Sequence, residues 1–415
     1  MLSSTPKPLH TISGKTMLQW VIDANQSAGI KKSIIVAPQE FDKFDIKNNN
    51  VIKTIQKKPL GTGDAVRKGA SLLDNFEGAV LICFADTPFI TPKTLKKIVN
   101  SLNNDNDLVL TGFRKFDKNK YGKIIFDKNK KPCEIVEYRD NKRNEVDSIF
   151  CNGGIMGINS SCLTHLNKIK KNSLSGEFYL TDIVKILSKE NKNISFIEID
   201  EEEIIGINNQ LDLSIAEGIS QNLIRNKAMM NGVKLIDPNS TFINYDTKFG
   251  KDIIIQPNVV FGNNVVIDSF VEIKSFSYIE ECIIKKGSII GPFARIRGGT
   301  IIGESSKIGN FVEIKKSNIS NEVKINHLSY IGDTEIGSST NIGAGTITCN
   351  YDGKKKNKTR IGKDSFVGSN STIIAPIKIG DNVIMGAGSV FNKNIPNNNL
   401  SIGRAHKINK KNKKI

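Results

Sequence analysis

Two hydrophobic rhythms divide the chain. Up to about residue 200, short apolar runs alternate with amphipathic stretches. "KSIIVAP", "GAVLICFAD" and "NDLVLTGF" read as strands. "KTMLQWVIDANQSAG", "GTGDAVRKGASLL" and "TPKTLKKIVNSL" read as helices. This alternation predicts a Rossmann-like α/β domain, with a mainly parallel sheet covered by helices on both faces. In such sheets ligands sit at the C-terminal ends of the strands. A further helix is predicted where Leu211, Ile215, Ile219 and Leu223 recur every fourth residue, with Gly232 as its stop.

After Pro238 the period becomes six. Ile255, Phe261, Ile267, Ile273 and Ile279 are six apart, and after a slip so are Ile284, Ile290, Ile296, Ile302, Ile308 and Ile314. Ile319, Ile325 and Ile331 continue the series, and Ile361, Val367, Ile373, Ile379 and Met385 close it. A sustained hexapeptide repeat predicts a parallel β-helix, each six residues making a strand and a turn and three making a coil. One apolar side chain per strand then points inward, and stacked coils share a continuous core. The clearest break in register is "TCNYDGKKKNKT", residues 348–359, which predicts a projecting loop.

With 415 residues, the chain is long enough for two or three domains. We expect a first domain over 1–205, a linker helix over 206–235, a β-helix over 236–404 and a basic tail over 405–415. Net charge is +17. The basic runs "KFDKNKYGK", "DGKKKNKTR" and "HKINKKNKKI" lie apart, with no aromatic ladder between them, so no specific nucleic-acid partner is expected. No apolar run is long enough to cross a membrane, so no membrane insertion is expected. Cysteines 83, 133, 151, 162, 282 and 349 are scattered without a CxxC pair, which suits a reducing cytoplasm and argues against a zinc site.

Candidate chemistry in the second half centres on His327 in "KINHLSYIGDTEIG". It lies between the inward-facing Ile325 and Ile331, on a turn or outward position. Transfer of an acyl group to an amine needs a base that works near neutral pH, which suits imidazole. A solvated surface histidine is the plainer reading of that residue alone. Around it stand "GPFARIRGG", "GNFVEIKKS", "NIGAGTITCNYDG" and "FVGSNSTIIAPI". In order and spacing these segments resemble the bacterial bifunctional family that joins glucosamine-1-phosphate N-acetyltransferase to N-acetylglucosamine-1-phosphate uridyltransferase. The likeness covers nearly the whole chain. It implies an α/β nucleotidyltransferase domain followed by a left-handed parallel β-helix, assembled as a homotrimer.

By the same resemblance His327 is the general base, and Glu313 orients or polarises it. Arg297 and Lys315 hold the sugar phosphate, and Tyr330 and Asn341 position the sugar. Asn350 and Tyr351 line the acyl-transfer site. Ala344, Ser369, Ala387 and Arg404 contact acetyl-coenzyme A, the co-substrate. In the first half the resemblance gives Asp86 and Asn208 as Mg²⁺ ligands, the magnesium serving nucleotidyl transfer from UTP. "QKKPLGTGDA" matches the uracil-recognition segment through Gln56, Gly61 and Thr62. "KYGKI", "IVEYRD" and "FCNGGI" match sugar-contacting pieces through Gly122, Glu137 and Asn152.

"SSTPKPLH" matches a segment whose lysine, here Lys7, contacts the nucleotide phosphates. In the family a strand and a glycine-rich loop with a catalytic arginine come before it, and Met1 falls where that loop ends. Either the true start lies upstream, or the chain is short and only acetylates. Retention of Lys7 and the other first-half residues favours an upstream start. The rival functional readings are a monofunctional acetyltransferase with an inactive first domain, and a non-catalytic protein that senses sugar nucleotides or binds nucleic acid.

Overall fold

The computed structural model describes residues 1–41, 50–117, 119–138, 140, 148–173 and 175–404. The expected basic tail, 405–415, lies outside the described residues. By its contacts the chain divides into two compact units, Met1–Ala216 and Glu217–Ile415. The division falls inside one helix, Gln210–Met230, rather than at a loop.

In the first unit the predicted helices form as α1 (Met17–Ser27), α2 (Thr62–Ala70) and α3 (Pro92–Asn103). Thr16 and Thr91 supply their side-chain oxygens to free N–H groups at the starts of α1 and α3, and Pro92 opens α3 where no donor is needed. α4 spans Asp182–Lys189. The main sheet has six strands. The long strand Phe150–Asn159 lies at its centre, and Leu108–Arg114 runs antiparallel to it and parallel to the edge strand Ile194–Glu198. Leu108 and Leu110 face one helical layer, with Leu166, Val184 and Leu187. Val109 and Phe113 face the other, with Leu95, Ile98 and Leu102 of α3. Helices on both faces are as expected.

Strand pairing departs from the expected mainly parallel sheet. Ala79–Ile82 and Lys123–Phe126 both run antiparallel to Phe150–Asn159. Ser33–Pro38 and Val51–Gln56 pair with each other in a separate two-stranded sheet. Local periodicity shows that a segment is a strand. It does not show which neighbour the strand finds.

The second unit is a left-handed parallel β-helix whose three walls are ladders of ten, nine and eight strands. Each inward residue stacks on its counterpart one coil away: Ile273 on Ile290, Ile308 and Ile325 in one wall, Ile279 on Ile296, Ile314 and Ile331 in the next. Every one of these isoleucines is within 1% of full burial. The predicted hexapeptide core is therefore the observed core. At several corners the small side chains are obligatory. A Cβ on Gly309 would lie 2.0 Å from the Asn326 carbonyl of the next coil.

The helix α5 (Gln210–Met230) forms where expected, but its apolar stripe does not face the core. Leu211, Ile215 and Leu223 are exposed, while Ser220, Gln221, Arg225 and Ala228 are buried. The reason lies in the first coil of the β-helix. Phe242–Ile243 begins its ladder and has no preceding strand to pair with. Gln221 makes the pair of bonds that a strand would make. Its Nε2 donates to the Ile243 carbonyl and its Oε1 accepts from the Ile243 N–H, both at 2.9 Å. Arg225 donates to the Pro238 carbonyl. An open edge of backbone polar groups needs hydrogen bonds more than it needs apolar cover, so the polar side of α5 turns inward.

Replacing Ile314 by Ala should lower the stability of the second unit by about 2–5 kcal/mol. A fall in its urea midpoint would show this, and an unchanged midpoint would contradict the packing described.

Candidate active sites

One corner of the β-helix carries a straight column that holds four of the expected residues. Coil upon coil it runs Asn310, His327, Ala344, Ser369, Ala387. Each carbonyl accepts the N–H that follows the next member: Leu328 N–H to Asn310 O at 3.0 Å, Gly345 to His327 at 3.3 Å, Asn370 to Ala344 at 2.7 Å and Gly388 to Ser369 at 2.8 Å. Coils repeat at about 4.8 Å, so the column from His327 to Ala387 is about 14 Å long. Arg404 donates to the Ala387 carbonyl at 2.6 Å and closes its far end. The adjoining corner position has a left-handed backbone throughout. It holds Phe276, Phe293, Phe311 and Leu328 in the earlier coils, then Gly345, Asn370 and Gly388. The three phenylalanine rings stack with centroids 5.0 Å apart. Bulk thus ends at the coil of His327, and small residues flank the column beyond it.

His327 closes the strand Lys324–His327. Its Nδ1 meets Asn310 Oδ1 at 2.7 Å. With the Asn310 oxygen facing the ring, Nδ1 carries the hydrogen, and the neutral imidazole keeps its lone pair on Nε2. Glu313, expected at the histidine, is instead paired with Arg297, Oε1 to Nη1 at 2.8 Å. The register accounts for this. Asn310 lies opposite His327, whereas Glu313 lies opposite Arg295 and Tyr330 in the neighbouring wall.

A cationic group gathers on that neighbouring wall. The Glu313 carboxylate holds the Arg297 guanidinium more firmly charged. Contact with Lys356, followed by the charges of Lys356 and Arg297, holds the Lys315 ammonium below its ordinary range. Lys356 comes from the predicted insertion, which folds back through an antiparallel bridge between Tyr351 and Lys356. Asp352 ties the loop, accepting from the Lys354 and Lys355 N–H groups and from Asn357 Nδ2. These bonds pull its carboxyl down to about 2. Asn350 donates to Asp333 at 2.5 Å and lies 3.5 Å from the Tyr330 hydroxyl. A Cβ on Gly332 would collide with both Asn350 and Tyr330. Tyr351 is exposed, its hydroxyl bonded to the Gly353 carbonyl. Asn341 stands on the wall of the His327 strand, opposite Lys324.

The first-unit residues form two groups. Lys7 donates to Asp86 and, at 2.7 Å, to Asn208 Oδ1. The Ile207 N–H bonds the Asp86 carbonyl, and Asp212 accepts from the Asn208 N–H at 2.7 Å, so both oxygen donors are fixed. The second group is a chain of contacts. Gly63 N–H bonds Phe178 O, Thr62 Oγ1 accepts from Leu180 N–H, and Thr181 Oγ1 donates to Glu137 at 2.9 Å. Gly122 packs on Glu137 and accepts from the Asn152 N–H at 2.8 Å. Gly61 has φ +107°, and a Cβ there would lie 2.6 Å from Phe178 O. Gln56 ends its strand and donates to Asp64 at 2.6 Å. Among the described residues no three His, Cys, Asp or Glu side chains come together as a metal site.

Sequence reasoning missed Asn310, Lys356, Asp333, Thr181, Asp64 and Asp212. Coil register could have found Asn310, which precedes His327 by 17 residues. Lys356 is one of several lysines in "DGKKKNKTR", and nothing in that run singles it out.

Two family models match the chain: a MobA-like NTP transferase domain over residues 1–132, and the bacterial transferase hexapeptide over 281–316 and 358–393. Fold and sites define a two-unit transferase, an NTP-transferase unit followed by a hexapeptide-repeat unit. Similar over almost their full lengths are proteins named "Bifunctional protein GlmU". That of Zymomonas mobilis is 39% identical, covering 99% of this chain and 93% of its own. That of Paramagnetospirillum magneticum is 38% identical (98% and 91%), and that of Bartonella bacilliformis 41% (100% and 93%). The chain belongs to the bifunctional GlmU family. No helix among the described residues is long and apolar enough to cross a membrane.

Replacing Lys356 by Ala removes the main cause of the lowered Lys315 pKa. That pKa should rise toward its ordinary value in side-chain NMR titration, while inorganic phosphate binds more weakly. An unmoved Lys315 would show that the two amines do not meet in solution.

Proposed function

We propose that the chain makes a nucleotide sugar in two steps, with the β-helix acetylating glucosamine-1-phosphate and the first unit coupling the product to UTP. The observation that carries this reading is the corner column from Ala387 to His327, beside the cations Arg297, Lys315 and Lys356. An extended thioester along Ala344, Ser369 and Ala387, with Arg404 at its charged end, brings its acetyl group to His327. The three cations offset the charge of a sugar phosphate dianion, and Glu313 steadies Arg297. Tyr330 and Asn341 position the sugar, and Asn350 and Tyr351 border the acyl group.

His327 Nε2 accepts a proton as the sugar amine attacks the thioester carbonyl. The amide C–N bond forms, the C–S bond breaks, and the proton passes on to the departing thiolate. Asn310 keeps the ring in the tautomer that leaves Nε2 free. Because the partner is a neutral amide, it aims the ring without adding the charge stabilisation that a carboxylate would give the imidazolium.

In the first unit Gln56, Gly61 and Thr62 receive the uracil. Gly122, Glu137 and Asn152 receive the N-acetylated sugar phosphate, and Lys7 contacts the nucleotide phosphates. Asp86 and Asn208 suit Mg²⁺, since their oxygens already converge on one cation, the Lys7 ammonium. Two hard oxygens leave positions for water and phosphate, the arrangement magnesium favours. Bound there, the ion would neutralise phosphate charge. The products are UDP-N-acetylglucosamine and pyrophosphate. The hexapeptide repeat supports a homotrimer, and small charged substrates support a cytoplasmic setting.

His327→Ala should lower acetyl transfer about 10²–10⁴-fold with its circular dichroism unchanged and pyrophosphate release intact. Full activity would remove His327 from the chemistry. Asp86→Asn should do the converse, stopping pyrophosphate release from UTP and N-acetylglucosamine-1-phosphate while acetyl transfer continues. Acetyl transfer without pyrophosphate release in the unaltered chain would take the second step away from the first unit.

A further inference from the structure

Gln56 ends the strand Val51–Gln56, at the C-terminal side where such sheets present ligands. Its amide could face the base either way. With the oxygen forward it accepts a hydrogen bond, and with the nitrogen forward it donates one. The structure decides between them. Asp64, in the first turn of α2, lies 2.6 Å from Gln56 Nε2 through Oδ2. An ionised carboxylate has only acceptors, so the amide nitrogen must face it. Gln56 Oε1 is thereby turned outward, and it accepts no hydrogen bond from any other described residue.

Asp64 is itself held. Its other oxygen, Oδ1, takes Arg67 Nη2 at 3.3 Å, and the Arg67 guanidinium lies over the Phe178 ring at 4.2 Å. Phe178 is bound through its backbone to Leu60 and Gly63, at 2.8 Å each. The arrangement is a relay from Phe178 through Arg67 and Asp64 to Gln56. Both Asp64 and Arg67 keep about three-quarters of the side chain from water.

We infer that Asp64 is a positioning residue that sets base specificity, by fixing the Gln56 amide with its oxygen toward the nucleobase. The inference rests on the reading of the first unit as a UTP site. Uracil carries a hydrogen on N3, and an outward amide oxygen accepts it. Cytosine carries a lone pair on N3, which the same oxygen repels. A site built around one donor–acceptor pattern leaves a buried group unpaired with the wrong partner. Asp64 thus selects an imide N–H without touching the base.

The test is calorimetric titration of the full chain with UTP and with CTP, each with Mg²⁺, for the wild type and Asp64→Asn. Asparagine at 64 offers both a donor and an acceptor, so the Gln56 amide can turn over. The wild type should prefer UTP by about tenfold or more, and the ratio should collapse toward one in D64N. Gln56→Met should lose the same discrimination while leaving Asp64 and Arg67 paired. A merely structural role would weaken both nucleotides together and leave the ratio where it was. That result, or a wild type that binds both nucleotides equally, overturns the role of Asp64 while the nucleotide site stands. A wild type that binds neither overturns the reading of the site, and the inference falls with it.

Discussion

Every coil of the β-helix satisfies the backbone of the next one, and the rest of the second unit follows from that constraint. Parallel ladders leave no room for a coil that drifts, because a one-residue slip would turn the inward isoleucines to water. Columns of identical register result. Inside, they produce the stack of Ile296, Ile314 and Ile331. At the corners they force small residues, since Gly309 already touches the next coil. At the open end they demand a substitute strand, which Gln221 provides with its two bonds to Ile243. The same stacking that holds the unit together therefore aligns side chains far apart in sequence, and a column of five corner residues becomes a track leading to His327.

How much of this could be read from the chain depends on the range of the signal. A period of six is local and repeats, so the core of the β-helix was legible residue by residue. α1, α2 and α3 were legible too, because amphipathic spacing, joined in α1 and α3 by a capping threonine, acts within one or two turns. Pairing in the first unit was not. Nothing local in "GAVLICFAD" says that its strand will lie antiparallel to one that begins seventy residues later, at Phe150. The stripe of α5 misled for a related reason. Leu211, Ile215 and Leu223 look like a core face, but the surface below the helix is an edge of unpaired backbone and takes Gln221 and Arg225 instead.

The site residues divide in the same way. His327, Arg297, Lys315 and the small residues Ala344, Ser369 and Ala387 stand in segments distinctive enough to be picked out by resemblance, and the fold places them in two coherent groups. The partners that aim them carry no such mark. Asn310 is one asparagine among many until the coil register sets it against His327. Glu313 looked like the obvious companion of the histidine, yet it lies on another wall and meets Arg297. Lys356 is one lysine in a basic run until the hairpin at Asp352 folds it onto Lys315. A local motif can specify a reactive group, whereas its orientation is a property of tertiary register.

Orientation also links the two units, which share no architecture. In each, a hydrogen bond from a neighbour settles a side chain that could point two ways. Asn310 fixes the imidazole of His327 with its oxygen, and Asp333 takes the amide nitrogen of Asn350. Lys7 donates to the amide oxygen of Asn208, and Asp64 takes the amide nitrogen of Gln56. A flippable amide or ring costs catalysis or selectivity whenever it spends time reversed, and a carboxylate neighbour such as Asp333 or Asp64, which only accepts, suppresses the reversed state of an amide. The orienting partners are side chains already held in place, by coil stacking in one unit and by the α2 relay through Phe178 in the other. Chemical precision in both sites is inherited from the hydrogen bonds that build the fold.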